Sequence, residues 1–208
     1  MGLLRKFFSN TGKPEGVMGK IVVAMMNKGH AGIASWGFSH LKLRGDEAVL
    51  DCGCGGGANI AVFLGMLPEG QVTGLDYSPV SVEKAREVNS AAIAAGRCSI
   101  VQGNVQELPF DDGGFDVVTA FETVYFWPEL PRCFGEMHRV LKPGGVFMIT
   151  NEASGRTKSH EKWQKIVDNM SVYTGEELEK LLTGAGFARV EIDEDLGHDR
   201  LNVRAYKG

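Results

Sequence analysis

The sequence has 208 residues and no apolar run long enough to cross a bilayer. Its longest candidate, Val17 to Met26, is broken by Gly19 and Lys20, whereas a spanning helix takes about 20 apolar residues. The N-terminus, Met1-Gly2-Leu3-Leu4-Arg5-Lys6-Phe7-Phe8, lacks the apolar core and cleavage site of a signal peptide. Stable membrane insertion is therefore not expected, and the chain reads as cytoplasmic. Basic runs are missing as well. A net charge of −4 with no clustered Lys/Arg face argues against nucleic-acid binding. The acidic stretch Glu191, Asp193, Glu194 and Asp195 reads as a solvated strand end and loop. Cysteine is sparse, at Cys52, Cys54, Cys98 and Cys133. Cys52 and Cys54 have no second ligand pair at matching spacing, so no metal site is expected, and a chain this long needs no disulfide framework.

What is present is ordinary globular material, 43% hydrophobic and 23% charged. It suits a single domain over 1–208, with 1–45 forming an N-terminal helical cap that has helical candidates near 17–27 and 31–40. From Ala48 the texture changes to alternating strand-like and helix-like segments, the pattern of parallel βαβ units. Strands are predicted at 48–52, 71–76, 99–102, 115–121, 146–150, 188–193 and 201–207. Helices are predicted at 58–66, from Pro79 to a stop at Gly96, at 130–141 and at 176–182. In the second of these, Ser78-Pro79 supplies the N-cap, and Val82, Ala85, Val88, Ala92 and Ala95 supply the apolar spacing. Lys142-Pro143-Gly144-Gly145 reads as a helix stop and turn. The fold class is therefore α/β: a Rossmann-like doubly wound sheet of seven strands, helices on both faces.

Chemistry concentrates after the first strand. Gly53, Gly55 and Gly57 lie between a strand and a helix, where glycine permits a tight turn and close approach of a ligand to the backbone. The helix N-terminus beyond them offers unpaired N–H groups to an anionic group. Asp76, at the end of the next strand, is placed to accept hydrogen bonds from ribose hydroxyls. Together these point to an adenosine-containing cofactor, and the spacing Gly53-x-Gly55-x-x-Ala58 also satisfies a dinucleotide pattern. Asp51 tilts the choice: beside a pyrophosphate its charge is repelled, whereas beside the ammonium of a methionine moiety it is favourable.

With these motifs in view, the stretch from Ala48 to Gly208 resembles the class I S-adenosylmethionine-dependent methyltransferases of the type 11 small-molecule group. The resemblance rests on ordered segments: Val49 to Gly57, Gly74 to Ser78, Gly103-Asn104-Val105, Leu108 to Asp111, Phe115 to Val118, and Leu141 to Gly145. It implies S-adenosylmethionine as cofactor and S-adenosylhomocysteine as product. It also implies an antiparallel last strand. Asp51, Gly53 and Gly55 would meet the methionine part and Asp76 the ribose. Tyr77 would flank the adenine, Asn104 and the Val105 backbone would contact its edge, and Phe121 and Glu122 would face cofactor and acceptor. The family usually has Asp where this chain has Asn104, which implies weaker adenine binding.

Methyl transfer from a sulfonium is an in-line displacement governed by positioning, and it needs a base only when the acceptor must lose a proton. The acceptor is expected to be a small molecule, enclosed by the N-terminal cap and the stretches after the fourth and fifth strands. Candidate catalytic residues are Glu122, Tyr125 and His30. The bland alternative is that Tyr125, Phe126 and Trp127 line a wall and that His30 is an exposed loop residue. His40, His138, His160 and His198 show no partnering pattern, and Cys52 and Cys54 read as buried packing residues. The stretch Asn151 to Met170 leaves room for a modest lid. An NAD-dependent oxidoreductase and a noncatalytic S-adenosylmethionine-binding module remain alternatives, and oligomeric state is not legible.

Overall fold

The computed structural model describes residues 31–157 and 170–208. The 17–27 helical candidate, His30 and His160 lie outside these residues, as do most of the 1–45 cap and much of the 151–170 stretch. The elements are α1 Ala31–Phe38, β1 Ala48–Cys52, α2 Ala58–Met66, β2 Gln71–Asp76, α3 Pro79–Val88, α4 Ser90–Ala94, β3 Cys98–Gln102, β4 Phe115–Phe121, α5 Leu130–Val140, β5 Leu141–Asn151, α6 Gly175–Gly184, β6 Arg189–Asp195 and β7 Arg200–Tyr206. A single 3₁₀ turn, Val124–Phe126, follows β4.

The strands form one seven-stranded sheet in the order β3-β2-β1-β4-β5-β7-β6, parallel except for β7, which is antiparallel to both neighbours. Sequence neighbours β3, β2 and β1 run outward to one side, while β4 starts the other. The order thus reverses between β1 and β4, where open α/β sheets leave a crevice at the carboxyl ends of their strands. Side-chain alternation divides the core into two layers. Leu50, Val118, Ala120, Phe147 and Ile149 pack under α5 and α6 with Phe134, Met137, Leu178 and Leu182. Val49, Val117, Phe121 and Met148 pack on the opposite face with Ile60, Phe63, Val82, Ala85 and Phe38. Strands covered on both faces read as nearly continuous apolar runs, which is why β4 carries Val117-Val118-Thr119-Ala120-Phe121 without a clean polar alternation.

Three sequence expectations need correction. The helix expected from Pro79 to Gly96 is two helices, broken at Asn89. That residue leaves helical geometry (φ −105°, ψ 18°) and turns its buried amide inward, donating to the Gly57 and Ala85 carbonyls at 3.0 Å each. Val88, which the spacing assigned to the apolar face, points to solvent and is 43% exposed. The Lys142–Gly145 stretch lies inside β5, where Leu141 pairs with Phe115 across a register shift and Gly144 takes φ 76°. Finally, the acidic stretch is the edge strand β6 itself. Its Glu191 and Asp193 bind Arg204 of β7 at 3.0 and 2.6 Å, and Glu194 binds Arg156 at 2.6 Å. Charges along an exposed edge also discourage pairing with another chain.

Asn89 ties the outer helix layer to the loop that follows β1. Replacing it with Leu removes two hydrogen bonds and leaves the Gly57 carbonyl only its longer 3.4 Å bond from Ala61 N–H, a loss of about 1–3 kcal/mol. For a domain of this size that lowers Tm by roughly 3–10 °C, read by thermal unfolding of Asn89→Leu against the parent.

Candidate functional site

The loop after β1 is shaped by three glycines that serve different purposes. Gly53, Gly55 and Gly57 all have left-handed backbones, with φ of 75°, 52° and 76°. A Cβ on Gly53 would stand 2.5 Å from Thr123 Cγ2, and one on Gly57 would stand 2.5 Å from Asn89 Nδ2. At those two positions the protein itself fills the space. At Gly55 a Cβ would meet nothing within 4 Å, so the bare backbone there faces open space. The Gly53 and Cys54 N–H groups both donate to the Leu75 carbonyl, at 2.7 and 3.0 Å, fixing the loop on β2.

Two carboxyl groups border this loop. Asp51, at the carboxyl end of β1, is 1% exposed. Its Oδ1 accepts from the Thr119 hydroxyl of β4 at 2.9 Å, and its Oδ2 has no partner. Burial, opposed by the Thr119 bond and reinforced by the nearby Asp76 charge, pushes its pKa up to about 7. Asp76 ends β2, accepting from Gly55 N–H and Ser78 N–H at 2.9 Å each, one on each oxygen. Burial raises its pKa too, while those two bonds hold it down. The Ser81 side chain and the Tyr77 backbone bond the same carboxyl and hold its pKa down as well.

Around the end of β2 and β3, Tyr77 is 46% exposed. Asn104 is exposed, and its Oδ1 accepts from Gln106 N–H at 3.0 Å, so the oxygen expected at the adenine edge also closes a local turn. Val105 is partly buried against the core. Phe121 lies away from open space: its ring is 7% exposed and packs 5.0 Å from Phe38 and 6.5 Å from Phe63. Gly37 of α1 allows this, since a Cβ there would lie 2.7 Å from both Phe121 and Thr150.

After β4 the chain turns through Glu122, whose φ of 60° is uncommon for a residue other than glycine. Glu122 Oε1 accepts from Glu152 N–H and, at 3.3 Å, from the Tyr125 hydroxyl. Burial first, then the Glu152 charge, pushes its pKa up to about 8. The Tyr125 hydroxyl in turn accepts from Ala153 N–H at 2.9 Å, and burial holds its pKa well above the ordinary phenol value. The structure thus brings Glu122 and Tyr125 together at the ends of β4 and β5. Cys52 and Cys54 are buried, and burial drives both thiols up, so they stay protonated; Cys52 donates to Met137 Sδ at 3.6 Å. No cluster of three or more metal-ligating side chains occurs among the described residues.

Sequence reasoning passed over Thr119, Thr123, Asn89 and Asn151. A polar residue within the apolar run of β4 was a readable signal for Thr119. Asn151 ends β5 fully buried, with neither amide atom partnered. Nothing in the sequence marks it.

A sheet of this order, with a glycine loop after β1 and acids ending β1 and β2, defines a Rossmann-like class I methyltransferase architecture. Residues 50–149 match the model of a methyltransferase domain. Cycloartenol-C-24-methyltransferase 1 of Oryza sativa subsp. japonica is 30% identical over 162 residues, covering 73% of this chain and 46% of that protein. The O-methyltransferase resE of Aspergillus sclerotiorum is 31% identical over 156 residues, covering 71% and 57%. Phosphoethanolamine N-methyltransferase 2 of Haemonchus contortus, solved with phosphomonomethylethanolamine and S-adenosylhomocysteine, shares the fold. Its TM-score is 0.80 at 15% identity, over 100% of this chain and 60% of that one. The chain belongs to the class I S-adenosylmethionine-dependent methyltransferases of the type 11 group, whose cofactor is S-adenosylmethionine. It spans 29–46% of the first four curated relatives it matches.

The residues present fit that cofactor. Asp51 Oδ2 is a buried oxygen lacking a donor, and an ammonium group supplies both donor and charge. Gly55 offers bare backbone beside Asp76.

The raised Asp51 pKa has a definite sign in stability. Its folded-state value lies above the ordinary 3.8, so the folded protein holds this proton more tightly. Stability from this group is complete below about pH 4 and is lost as pH climbs toward 7. At about 1.4 kcal/mol per pKa unit the loss is on the order of 4 kcal/mol. Asp51→Asn removes it. The ligand-free variant should melt above the parent at pH 8, with the gap closing by pH 4, while its affinity for S-adenosylmethionine falls, as read by melting curves and titration calorimetry.

Proposed function

We propose that this chain transfers the methyl group of S-adenosylmethionine to a small acceptor. The observation carrying this reading is Asp51: a buried carboxyl with one free oxygen at the switch point between β1 and β4. A cationic amino-acid group satisfies it, whereas a pyrophosphate would oppose it. That contrast weighs against the NAD-dependent reading.

In this assignment Asp51 holds the ammonium, with Thr119 fixing the carboxyl. Gly53 and Gly55 shape the backbone against the methionine part, and Asp76 takes the ribose hydroxyls. Tyr77 covers the adenine, with Asn104 and Val105 at its edge. The cofactor supplies an electrophilic methyl on a sulfonium. The acceptor side comprises the turn after β4, the end of β5 and α1, which is the described part of the 1–45 cap. Glu122 is the group there suited to take a proton from the acceptor, since a carboxyl titrating near 8 is a stronger base than an ordinary one. Tyr125 serves by holding Glu122 and the Ala153 N–H, because its hydroxyl is engaged on both sides. His30 lies outside the described residues and takes no part in this account.

The first test is thermal stability with S-adenosylmethionine, S-adenosylhomocysteine and NAD in parallel, since a ligand that binds only the folded state raises Tm. The two adenosyl compounds should raise it and NAD should not; a rise with NAD alone would sink the reading. Homocysteine release with an acceptor panel then separates an enzyme from a binding module.

A second test addresses Glu122. Its base form populates as pH passes through about 8, so kcat should rise across that range in the parent. Glu122→Gln keeps an oxygen for Glu152 N–H, and should flatten the profile and lower kcat about 100-fold or more. An unchanged pH profile would leave Glu122 a structural role only.

A further inference from the structure

By strand alternation Asp51 shares its face of the sheet with Val49, and its partner Thr119 shares that face with Val117 and Phe121, under α1 and α2. None of β1, the loop at 53–57, β2, β4, α1 or α2 contains Lys, Arg or His. The titratable groups around the carboxyl are acids and thiols. Asp76 approaches from the end of β2, Cys54 from the loop and Cys52 from the adjoining strand position, and Glu122 stands just past β4. Burial keeps both thiols protonated, so the charge available near Asp51 is negative. Among the described residues the Thr119 hydroxyl, at 2.9 Å, is the one donor to the carboxyl, and Oδ2 has none.

A carboxyl that is dried, bonded once and faced by acids is more stable with its proton than without it. An incoming ammonium reverses that balance. It brings N–H donors to Oδ2 together with the positive charge that the surrounding elements lack, and both favour the ionised form.

We propose that S-adenosylmethionine binds in exchange for a proton: as its ammonium reaches Asp51 Oδ2, the carboxyl O–H bond breaks and the proton passes to solvent. One neutral acid and one ammonium become one carboxylate–ammonium pair and one free proton, with no change of oxidation state. This inference rests on the methyltransferase reading and adds to it a control of cofactor occupancy by pH. S-adenosylhomocysteine carries the same ammonium, so loading of the cofactor and loss of its product are coupled to proton exchange alike. Burial, opposed by the Thr119 bond and reinforced by the Asp76 charge, sets the exchange near neutrality, with an Asp51 pKa of about 7 in the free protein. Occupancy therefore falls as the medium acidifies below that pH.

The experiment titrates the full-length protein by calorimetry across the acid-to-neutral range, first with S-adenosylhomocysteine and then with 5′-methylthioadenosine, which keeps the adenosine and the thioether but has no ammonium. Affinity for S-adenosylhomocysteine should rise about 10-fold per pH unit from about pH 5 to about pH 6.5, and level off above about pH 7. At about pH 6, in buffers of different ionisation enthalpy, close to one proton should be released per ligand bound. 5′-Methylthioadenosine should show neither effect, although its ribose also goes to Asp76, whose pKa burial raises too. Asp51→Asn should bind S-adenosylhomocysteine more weakly above neutrality and without a pH slope. Thr119→Val keeps the acid but loses the bond that favours its charge, so its levelling-off should move up by about one pH unit. The inference is overturned by an affinity in the parent that ignores pH, by binding with no proton released, by a slope kept in Asp51→Asn, or by an equal slope with 5′-methylthioadenosine. Failure of S-adenosylhomocysteine to bind at any pH overturns the cofactor reading, and the inference with it.

Discussion

A carboxyl group held out of water, with one oxygen bonded to Thr119 and the other to nothing, is a costly arrangement, and much of the site is organised around it. Asp51 cannot move toward solvent, because its strand is gripped by β2 on one side and β4 on the other. Thr119 fixes its rotation from the second of those neighbours. The loop that follows cannot swing over to cover the free oxygen, since Gly53 and Cys54 are bonded to Leu75. Without a ligand the group relieves its cost by keeping its proton, which is what a pKa near 7 expresses. A bound cation relieves the same cost by another route. Cofactor binding and Asp51 ionisation are therefore linked: the cation draws the carboxyl toward its charged form.

The rest of the loop is preformed by contacts that never touch a ligand. Thr123, arriving from the turn after β4, fills the space a side chain at Gly53 would need, and its hydroxyl donates to the Cys52 carbonyl at 3.2 Å. Asn89, arriving from the outer helices, does the same at Gly57 and bonds its carbonyl. Only Gly55 is left bare. A loop clamped at both flanks loses little freedom when a ligand docks, and this is how preorganisation contributes to affinity. The clamps join β1, β4 and the α3–α4 break into one unit, so a change at Asn89 is felt in the glycine loop.

The sheet was legible because its strands are covered on both faces and interrupted by helices with clear stops, so each apolar run could be bounded. Strand ends fall within a residue or two of their predicted places, except at β5, where a bulge absorbs a turn signal. The glycine loop was legible for a related reason: glycines directly after a strand mark a tight βα turn, and the structure places Gly53, Gly55 and Gly57 there between the acids that close β1 and β2. What sequence spacing could not carry was the reason behind each glycine, because the groups that exclude a Cβ at Gly53 and Gly57 come from Thr123 and Asn89, far along the chain. Asn89 reads locally as an ordinary helix residue, and its inward amide makes sense only once Gly57 lies beneath it. The acceptor side stayed dark because it is assembled from strand ends, and a polar residue at a strand end carries no signal until its partners are counted.

Polarity along the carboxyl edge follows a sequence that constrains the chemistry. At β1 stands a carboxyl that needs a cation, at β4 a carboxyl near 8, and at β5 a neutral amide. Tyr125 is the neighbouring group that could compete with Glu122 as a base, but its phenol is held far above neutrality and is bonded on both sides, so removing its proton would leave a charge beside Glu122. Glu122 differs in kind: its bonds are ones it accepts, and a carboxylate accepts them better than the neutral acid does. Becoming charged strengthens its hold on Glu152 N–H and Tyr125, and taking up a proton weakens it. Proton transfer at Glu122 is thereby coupled to the grip on Glu152 and Ala153, immediately beyond Asn151. A change of protonation at the end of β4 is consequently felt at the end of β5, the same edge where an acceptor would bind and its methylated product would leave.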